Sequence, residues 1–245
     1  MKADSMGVDF SLYNADGDSV IDFVYLIYAG KGQANGGDAR TIWPHAWDME
    51  SALAYGNTNQ TEYFCSYDFS ADTVIAERLP QLDGLTLFQY ACSNELYGSL
   101  REGVGTLCHE FSHVLGLPDY YITSAEATMS NSTTPGAWSL MSFGNYINDG
   151  RTPCNYSVYD KYFCGWVEPS VLHLDGEYTT GSEGYMLTRD GALPMLGAYT
   201  SDTVYYIENR QYESWDAYLP GHGLLVWQGV YDSAHWAENT PNDFS

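Results

Sequence analysis

Between His109 and Asp119 the chain reads His-Glu-Phe-Ser-His-Val-Leu-Gly-Leu-Pro-Asp, and no other stretch restricts the fold so tightly. The run from Arg101 to Leu115 has no proline, and Val104, Leu107, Phe111, Val114 and Leu115 recur at helical spacing, which predicts an amphipathic helix. Residues four apart on a helix stand about 40° apart around the axis, one turn along. His109 and His113 can therefore point two imidazoles at one ion. Glu110 is offset by about 100°, near such an ion but awkward as a further ligand on the same face. That leaves its carboxylate free to bind and deprotonate a water.

Gly116 explains how a third ligand arrives. Glycine just past a periodic helix ends it in the left-handed conformation, which a Cβ would make costly. Pro118 forbids the helix from resuming. The chain then turns back under its own last turn and can deliver Asp119 to the open side of the ion. Two nitrogens and one carboxylate oxygen leave a fourth tetrahedral position for water, the layout of a catalytic zinc. The plainer reading is a chance HExxH on a helix that exposes two histidines. The whole chain has six His, and two fall here with Glu, Gly and Asp at the required offsets, so the zinc reading is the stronger.

The string HExxHxxGLPDxY resembles the metzincin motif in the form with Asp as third ligand. More narrowly, it resembles the immune inhibitor A family of secreted bacterial metalloproteases. The segments VDFSLYNADGDSVIDFVYLIYAGKGQANGGD, TIWPHAW, YACSNELYG, WSLMSFGNY and ENRQYESWDAYLPGHGLLVW are similar to recurring segments of that family. The resemblance implies an α+β fold: a twisted mixed β-sheet with an active-site helix and a C-terminal subdomain carrying a methionine turn, followed by β-rich sequence. It implies one catalytic domain over 1–245, with an N-terminal subdomain to about 117 and a C-terminal one from about 118. Zinc held by His109, His113 and Asp119, with Glu110 as general base, would make the chain an endopeptidase acting on extracellular proteins. Met141, 22 residues past Asp119, fits the methionine turn, an apolar floor beneath the ligands. Some metzincins have a tyrosine two residues after that methionine, near the oxyanion; Phe143 stands there in this chain. Tyr146 is one substitute, and His222, between two glycines, is a second or else an ordinary turn residue. The competing classes are a non-catalytic secreted calcium- and zinc-containing binding module, and a hydrolase of non-protein amides or esters.

Composition narrows the partners. The net charge is −23, with only nine Lys and Arg, which argues against nucleic acid and anionic membranes because phosphate contacts need clustered cations. No apolar run reaches membrane-spanning length. The opening Met-Lys-Ala-Asp-Ser-Met-Gly lacks the apolar core of a signal peptide. The expectation is a fragment of an exported protein whose signal and pro-segment lie upstream. Acid-rich surfaces suit calcium. Asn14, Asp16, Asp18, the Val20 carbonyl and Asp22 occupy positions 1, 3, 5, 7 and 9 of a loop that could hold it, although Ser19 and Tyr25 replace the glycine and glutamate of an EF-hand. A polar turn feeding a strand is the alternative.

Five cysteines cannot all pair within one chain. Cys154 with Cys164, and Cys65 with Cys92, are candidate disulfides, while Cys108 suits a small buried apolar position. Val20 to Tyr28 reads as a buried central strand and Leu85 to Ala91 as another. By resemblance the latter is also the candidate edge strand that pairs with an extended substrate. Trp43-Pro44-His45 reads as a packing anchor. Thr123 to Gly136 reads as a polar rim, Ser157 to Gly165 as a short helix, and Thr203 to Ile207 and Gly223 to Trp227 as strands.

Overall fold

The structure, a computed structural model, describes residues 7–56, 67–68, 73–74, 79–123, 134–173, 175–179, 184–194 and 203–243. The fold is mixed α+β, and the chain divides into two compact units, Met1–Arg101 and Glu102–Ser245.

The first unit is built on sheets. Strands β1 (Val20–Ile21), β2 (Val24–Lys31) and β3 (His45–Asp48) precede helix α1 (Met49–Gly56) and a short pair, β4 (Tyr67–Asp68) with β5 (Thr73–Val74). Strands β6 (Gln81–Leu82), β7 (Leu85–Leu87), β8 (Gln89–Tyr97) and β9 (Leu100–Arg101) follow. One sheet has the order β2-β8-β3, with β2 parallel and β3 antiparallel to β8, and a smaller sheet runs β1-β7-β6. Strand β8 buries Ala91, Cys92, Ser93 and Asn94 in succession, as expected of a strand covered on both faces.

Two sequence expectations are corrected here. The run from Val20 to Tyr28 is not one central strand. Asp22 faces back to the preceding loop, its amide donating to the Tyr13 carbonyl at 2.9 Å and its Oδ2 accepting from the Ala15 amide at 2.9 Å. The ladder stops there, β1 joins one sheet, and β2 resumes at the edge of the other. Leu85 to Ala91 also splits, because the Phe88 carbonyl accepts from the Met49 amide at 2.8 Å. Its two parts are central: β7 lies between β1 and β6, and β8 between β2 and β3. That run therefore offers no open edge to a substrate strand. His45 does anchor its loop, with Nδ1 at 2.7 Å from the Trp43 carbonyl and Nε2 at 2.9 Å from the Tyr90 hydroxyl.

The second unit carries helix α2 (Gly105–Val114), helix α3 (Val158–Phe163), a sheet in the order β10 (Ser170–Val171), β11 (Tyr185–Leu187), β12 (Val204–Arg210), β13 (Gly223–Gly229), and helix α4 (Ser233–Ala237). The two later strands and the short helix fall where the sequence predicts them. Ser157 starts α3 through a capping box: its hydroxyl accepts from the Asp160 amide while the Asp160 side chain accepts from the Ser157 amide. Val158, Met186, Val204 and Tyr206 form one core, with Tyr159, Tyr162 and Trp227 packed against it. Leu140, Cys154 and Leu219 form another, with Cys108 at its margin. Cys154 and Cys164 are separate thiols, not a disulfide. Burial pushes the Cys154 thiol up to about 12. Cys65 lies outside the described residues, as does most of the 123–136 loop.

A buried ionic network ties the sheet to the start of α3. The Arg210 guanidinium holds Asp216 with two bonds, at 2.7 and 2.6 Å, and Glu208 at 3.2 Å. Asp216 in turn accepts from the Asn155 amide and Glu208 from the Val158 amide and the Trp227 indole. All three charged side chains are nearly closed to solvent, so removing the cation would strand two anions in a poor dielectric. Arg210→Met should therefore lower the unfolding free energy by about 3–5 kcal/mol, read as a drop in the urea midpoint.

Candidate metal centre

The motif helix begins later than the sequence suggests, at Gly105 rather than near Arg101. The Gly105 amide donates to the Gly150 carbonyl at 2.8 Å, and a Cβ there would collide with the Asn145 carbonyl. Backbone meets backbone at this point, and only glycine permits it. The apolar stripe of the helix is not the face that is buried. Val104, Leu107 and Phe111, members of that stripe, are 42, 39 and 41% exposed, whereas Thr106, His109, Glu110 and Ser112 are buried. Polar groups can line the inner face because they have partners: the Ser112 hydroxyl meets the Cys108 carbonyl and the Tyr156 hydroxyl, each at 2.6 Å.

The helix ends as its glycine requires. Gly116 has φ of +87°, its amide bonds to the His113 carbonyl at 3.0 Å, and the Leu117 amide bonds to the Ser112 carbonyl at 3.2 Å. This pair of bonds is the Schellman arrangement. It reverses the chain under the last turn and brings Asp119 to the two histidines. His109 Nε2 lies 2.9 Å and His113 Nε2 3.5 Å from Asp119 Oδ1. Among the described residues these three form the only group whose ligand atoms, from three His, Cys, Asp or Glu side chains, all lie within 4.8 Å of one another.

Each imidazole is held by its other nitrogen. His109 Nδ1 is 2.8 Å from the Leu140 carbonyl, and His113 Nδ1 is 2.8 Å from the Leu117 carbonyl. A carbonyl can only accept, so both Nδ1 atoms carry hydrogen and a neutral ring presents its Nε2 lone pair to Asp119. Asp119 Oδ1 is buried and makes no hydrogen bond of acceptable geometry. An orphaned carboxylate oxygen facing two nitrogen lone pairs fits a cation, and the N, N, O donor set is one that zinc accepts. The electrostatics agree. Burial acts to lower the His109 pKa, but the close approach and charge of Asp119, with Glu110 and the Leu140 carbonyl, raise it on balance. Burial acts to raise Asp119, but the two histidines hold it far below the ordinary carboxylate range.

The surroundings hold what sequence reasoning predicted and what it missed. Glu110 is buried beside the ligands. Met141 is fully buried, and its backbone acts too: the Met141 carbonyl accepts from the Tyr120 amide at 2.6 Å while the Leu140 carbonyl orients His109. The Tyr146 phenol is raised by burial, with Glu110 among the charges acting on it. His222 is exposed and in ring contact with Tyr212. Tyr121 was missed. Its ring stacks on His109 at 6.3 Å and on Phe143 at 6.1 Å, and its phenol is pushed far up by burial and then by Asp119 and Glu110. The tyrosine two residues after the third ligand was the available signal. Asn239 was missed as well. It bonds to both the amide and the carboxylate of Asp119, and nothing in its sequence context points there.

The candidate calcium loop is different in kind. Asn14 Oδ1 accepts from the Gly17 amide at 3.0 Å, Asp16 Oδ1 from Asp18 at 3.1 Å, and Asp18 Oδ1 from Val20 at 2.6 Å. With Asp22 bonded to Ala15, these side chains serve the loop's own backbone.

Residues 8–166 match the immune inhibitor A peptidase M6 catalytic domain. The chain belongs to that family. It is 30% identical over 161 residues to Immune inhibitor A of Bacillus thuringiensis subsp. alesti, covering 61% of this chain and 20% of the relative. It is 26% identical over 161 residues to the Pre-pro-metalloprotease PrtV of Vibrio cholerae serotype O1 (strain M66-2), covering 62% of this chain and 15% of the relative. The matched stretch thus spans about a fifth or less of these curated relatives. It includes the HExxH helix, Asp119 and Met141, and stops before β10.

The turn that delivers Asp119 supplies a test. An alanine at position 116 would keep a left-handed residue with a Cβ, placed 3.3 Å from the Phe163 ring. Gly116→Ala should cost about 1–2 kcal/mol, visible as a lowered thermal midpoint of the metal-free protein.

Proposed function

We propose that the chain is the catalytic domain of a zinc-dependent endopeptidase that hydrolyses peptide bonds of extracellular proteins. The observation that carries this reading is the convergence of His109, His113 and Asp119 on one point with Glu110 buried next to them. Zinc, when bound, lowers the pKa of water towards ~7 and polarises a carbonyl. Glu110 takes a proton from the attacking water and passes it to the leaving amide nitrogen as the carbon–nitrogen bond breaks. The Leu140 and Leu117 carbonyls keep both imidazoles in the metal-binding tautomer. Met141 acts as the methionine turn of a metzincin, closing the floor beneath the ligands. The oxyanion or the substrate is contacted by Tyr146, supported by its nearness to Glu110, or by His222, which is exposed beside Tyr212.

Secretion is part of the reading. The net charge of −23 suits an extracellular protein, and the name of the Vibrio relative records a pre- and a pro-segment. Calcium in the 14–22 loop rests on the spacing of its acidic side chains alone.

The tests separate a protease from a binding module that keeps the metal. Wild type should degrade casein and lose that activity to a chelator; a chain that loads zinc yet yields no fragments would be a binding module. Glu110→Ala should retain zinc and lose turnover by about 10²–10⁴-fold, and turnover near wild type would remove Glu110 from the proton path. Asp119→Ala should lose zinc on dialysis, measured by metal analysis.

A further inference from the structure

The last described segment reaches back to the ligand loop from far along the chain. The Trp236 indole donates to the Gly116 carbonyl at 2.7 Å, the Asn242 side chain to the Tyr120 carbonyl at 2.9 Å, and the Thr123 hydroxyl to the Asn239 carbonyl at 2.9 Å. The Thr123 amide donates to Asp243 at 3.1 Å. The segment thus grips the chain on both sides of Asp119. At its centre Asn239 makes two bonds to the ligand itself: its Oδ1 accepts from the Asp119 amide at 2.6 Å, and its Nδ2 donates to Asp119 Oδ2 at 2.7 Å.

Those two bonds require a side chain that donates at one atom and accepts at the other, at a fixed separation. A carboxamide does this, whereas a carboxylate can only accept. The backbone is matched as well, because Asn239 has φ of +57°, a conformation asparagine adopts more readily than most residues. With Oδ2 held by Asn239, rotation of the carboxylate is blocked and Oδ1 is left facing His109 and His113. Groups that orient a ligand in this way raise metal affinity by removing the alternatives the ligand would otherwise sample.

We propose that Asn239 is the positioning residue for Asp119, and that through it the Trp236–Asp243 segment sets the metal affinity of the centre. The proposal rests on the reading of His109, His113 and Asp119 as zinc ligands. The position lies beyond the part of the chain that matches the family.

The experiment is a zinc titration of the 245-residue chain against a chromophoric chelator, with the thermal midpoint of each metal-free variant measured alongside. Asn239→Gly keeps a residue that accepts positive φ and removes the carboxamide. Asn239→Asp keeps the acceptor but sets a second carboxylate against Oδ2. Asn242→Ala weakens the same segment without touching Asp119. Both Asn239 variants should raise the zinc dissociation constant about 10–100-fold, while Asn242→Ala leaves it within about threefold. The metal-free midpoints of Asn239→Gly and Asn242→Ala should fall by similar amounts. Wild-type zinc affinity in either Asn239 variant would overturn the proposal. So would an equal loss of affinity in Asn242→Ala, since the segment would then act only as general support. A wild-type chain that binds no zinc would instead overturn the reading of the ligands.

Discussion

Two imidazole lone pairs and one carboxylate oxygen are aimed at the same point, and they repel one another unless positive charge stands between them. The carbonyls of Leu140 and Leu117 impose this by claiming the Nδ1 hydrogens, which turns each Nε2 toward Asp119 Oδ1. A bare arrangement of this kind would relax by rotating the carboxylate or the rings. The bonds at its outer edge, from the two carbonyls to the rings and from Asn239 to the carboxylate, oppose that relaxation. Holding the rings and the carboxylate in this way would lower the organisational cost of taking up an ion.

That organisation comes from three directions within the second unit. The Leu140–Ser142 turn contributes backbone, one carbonyl to His109 and the next to Tyr120, while the Met141 side chain fills the space beneath. Asp160 contributes from α3: it caps that helix through Ser157 and accepts from the Tyr120 hydroxyl at 2.9 Å, one residue from the ligand. The α3 helix is itself fixed by the Glu208 carboxylate on its first amide, inside the network centred on Arg210. The closing segment around Asn239 contributes the third hold. Ion pairs buried this deeply add little net stability compared with apolar packing. Their use here is directional, since each charge in the chain from Arg210 to Tyr120 specifies where one backbone group must sit.

How much of this could be read in the sequence follows from range. The spacing of His109 and His113, the glycine that ends their helix and the return of Asp119 are consequences of local geometry within eleven residues, and the structure reproduces them. The direction of the helix was not legible, because periodicity shows that a stripe exists and not which way it faces. The stripe of Val104, Leu107 and Phe111 is open, and the inner face is polar with its partners supplied from Leu140, Tyr156 and Gly150. The strand breaks at Asp22 and Phe88 were hidden for a related reason, since each depends on bonds to residues outside the run: Tyr13 and Ala15 for Asp22, Met49 for Phe88. Residues 14–22 show a different limit. Oxygen at every second position suits a hard cation and also suits side chains that bond amides two residues on, as Asp16 and Asp18 do.

Net charge frames the question of which ion the centre takes. A chain carrying −23 attracts any divalent cation, and Glu110 and Asp119 add to that pull at the site itself. Attraction of this kind cannot discriminate, because calcium and magnesium carry the same charge as zinc. Discrimination has to come from the donor atoms. Two nitrogens fixed in the lone-pair-forward tautomer are poor partners for the hard cations, which prefer six or more oxygens, and good ones for zinc. The two backbone carbonyls that hold the rings therefore act on selectivity as well as geometry: rings turned the other way would present N–H donors and leave Asp119 as a lone oxygen ligand. In an acid-rich protein, the orientation of two neutral side chains is what would give the proposed centre its preference for zinc over the hard cations.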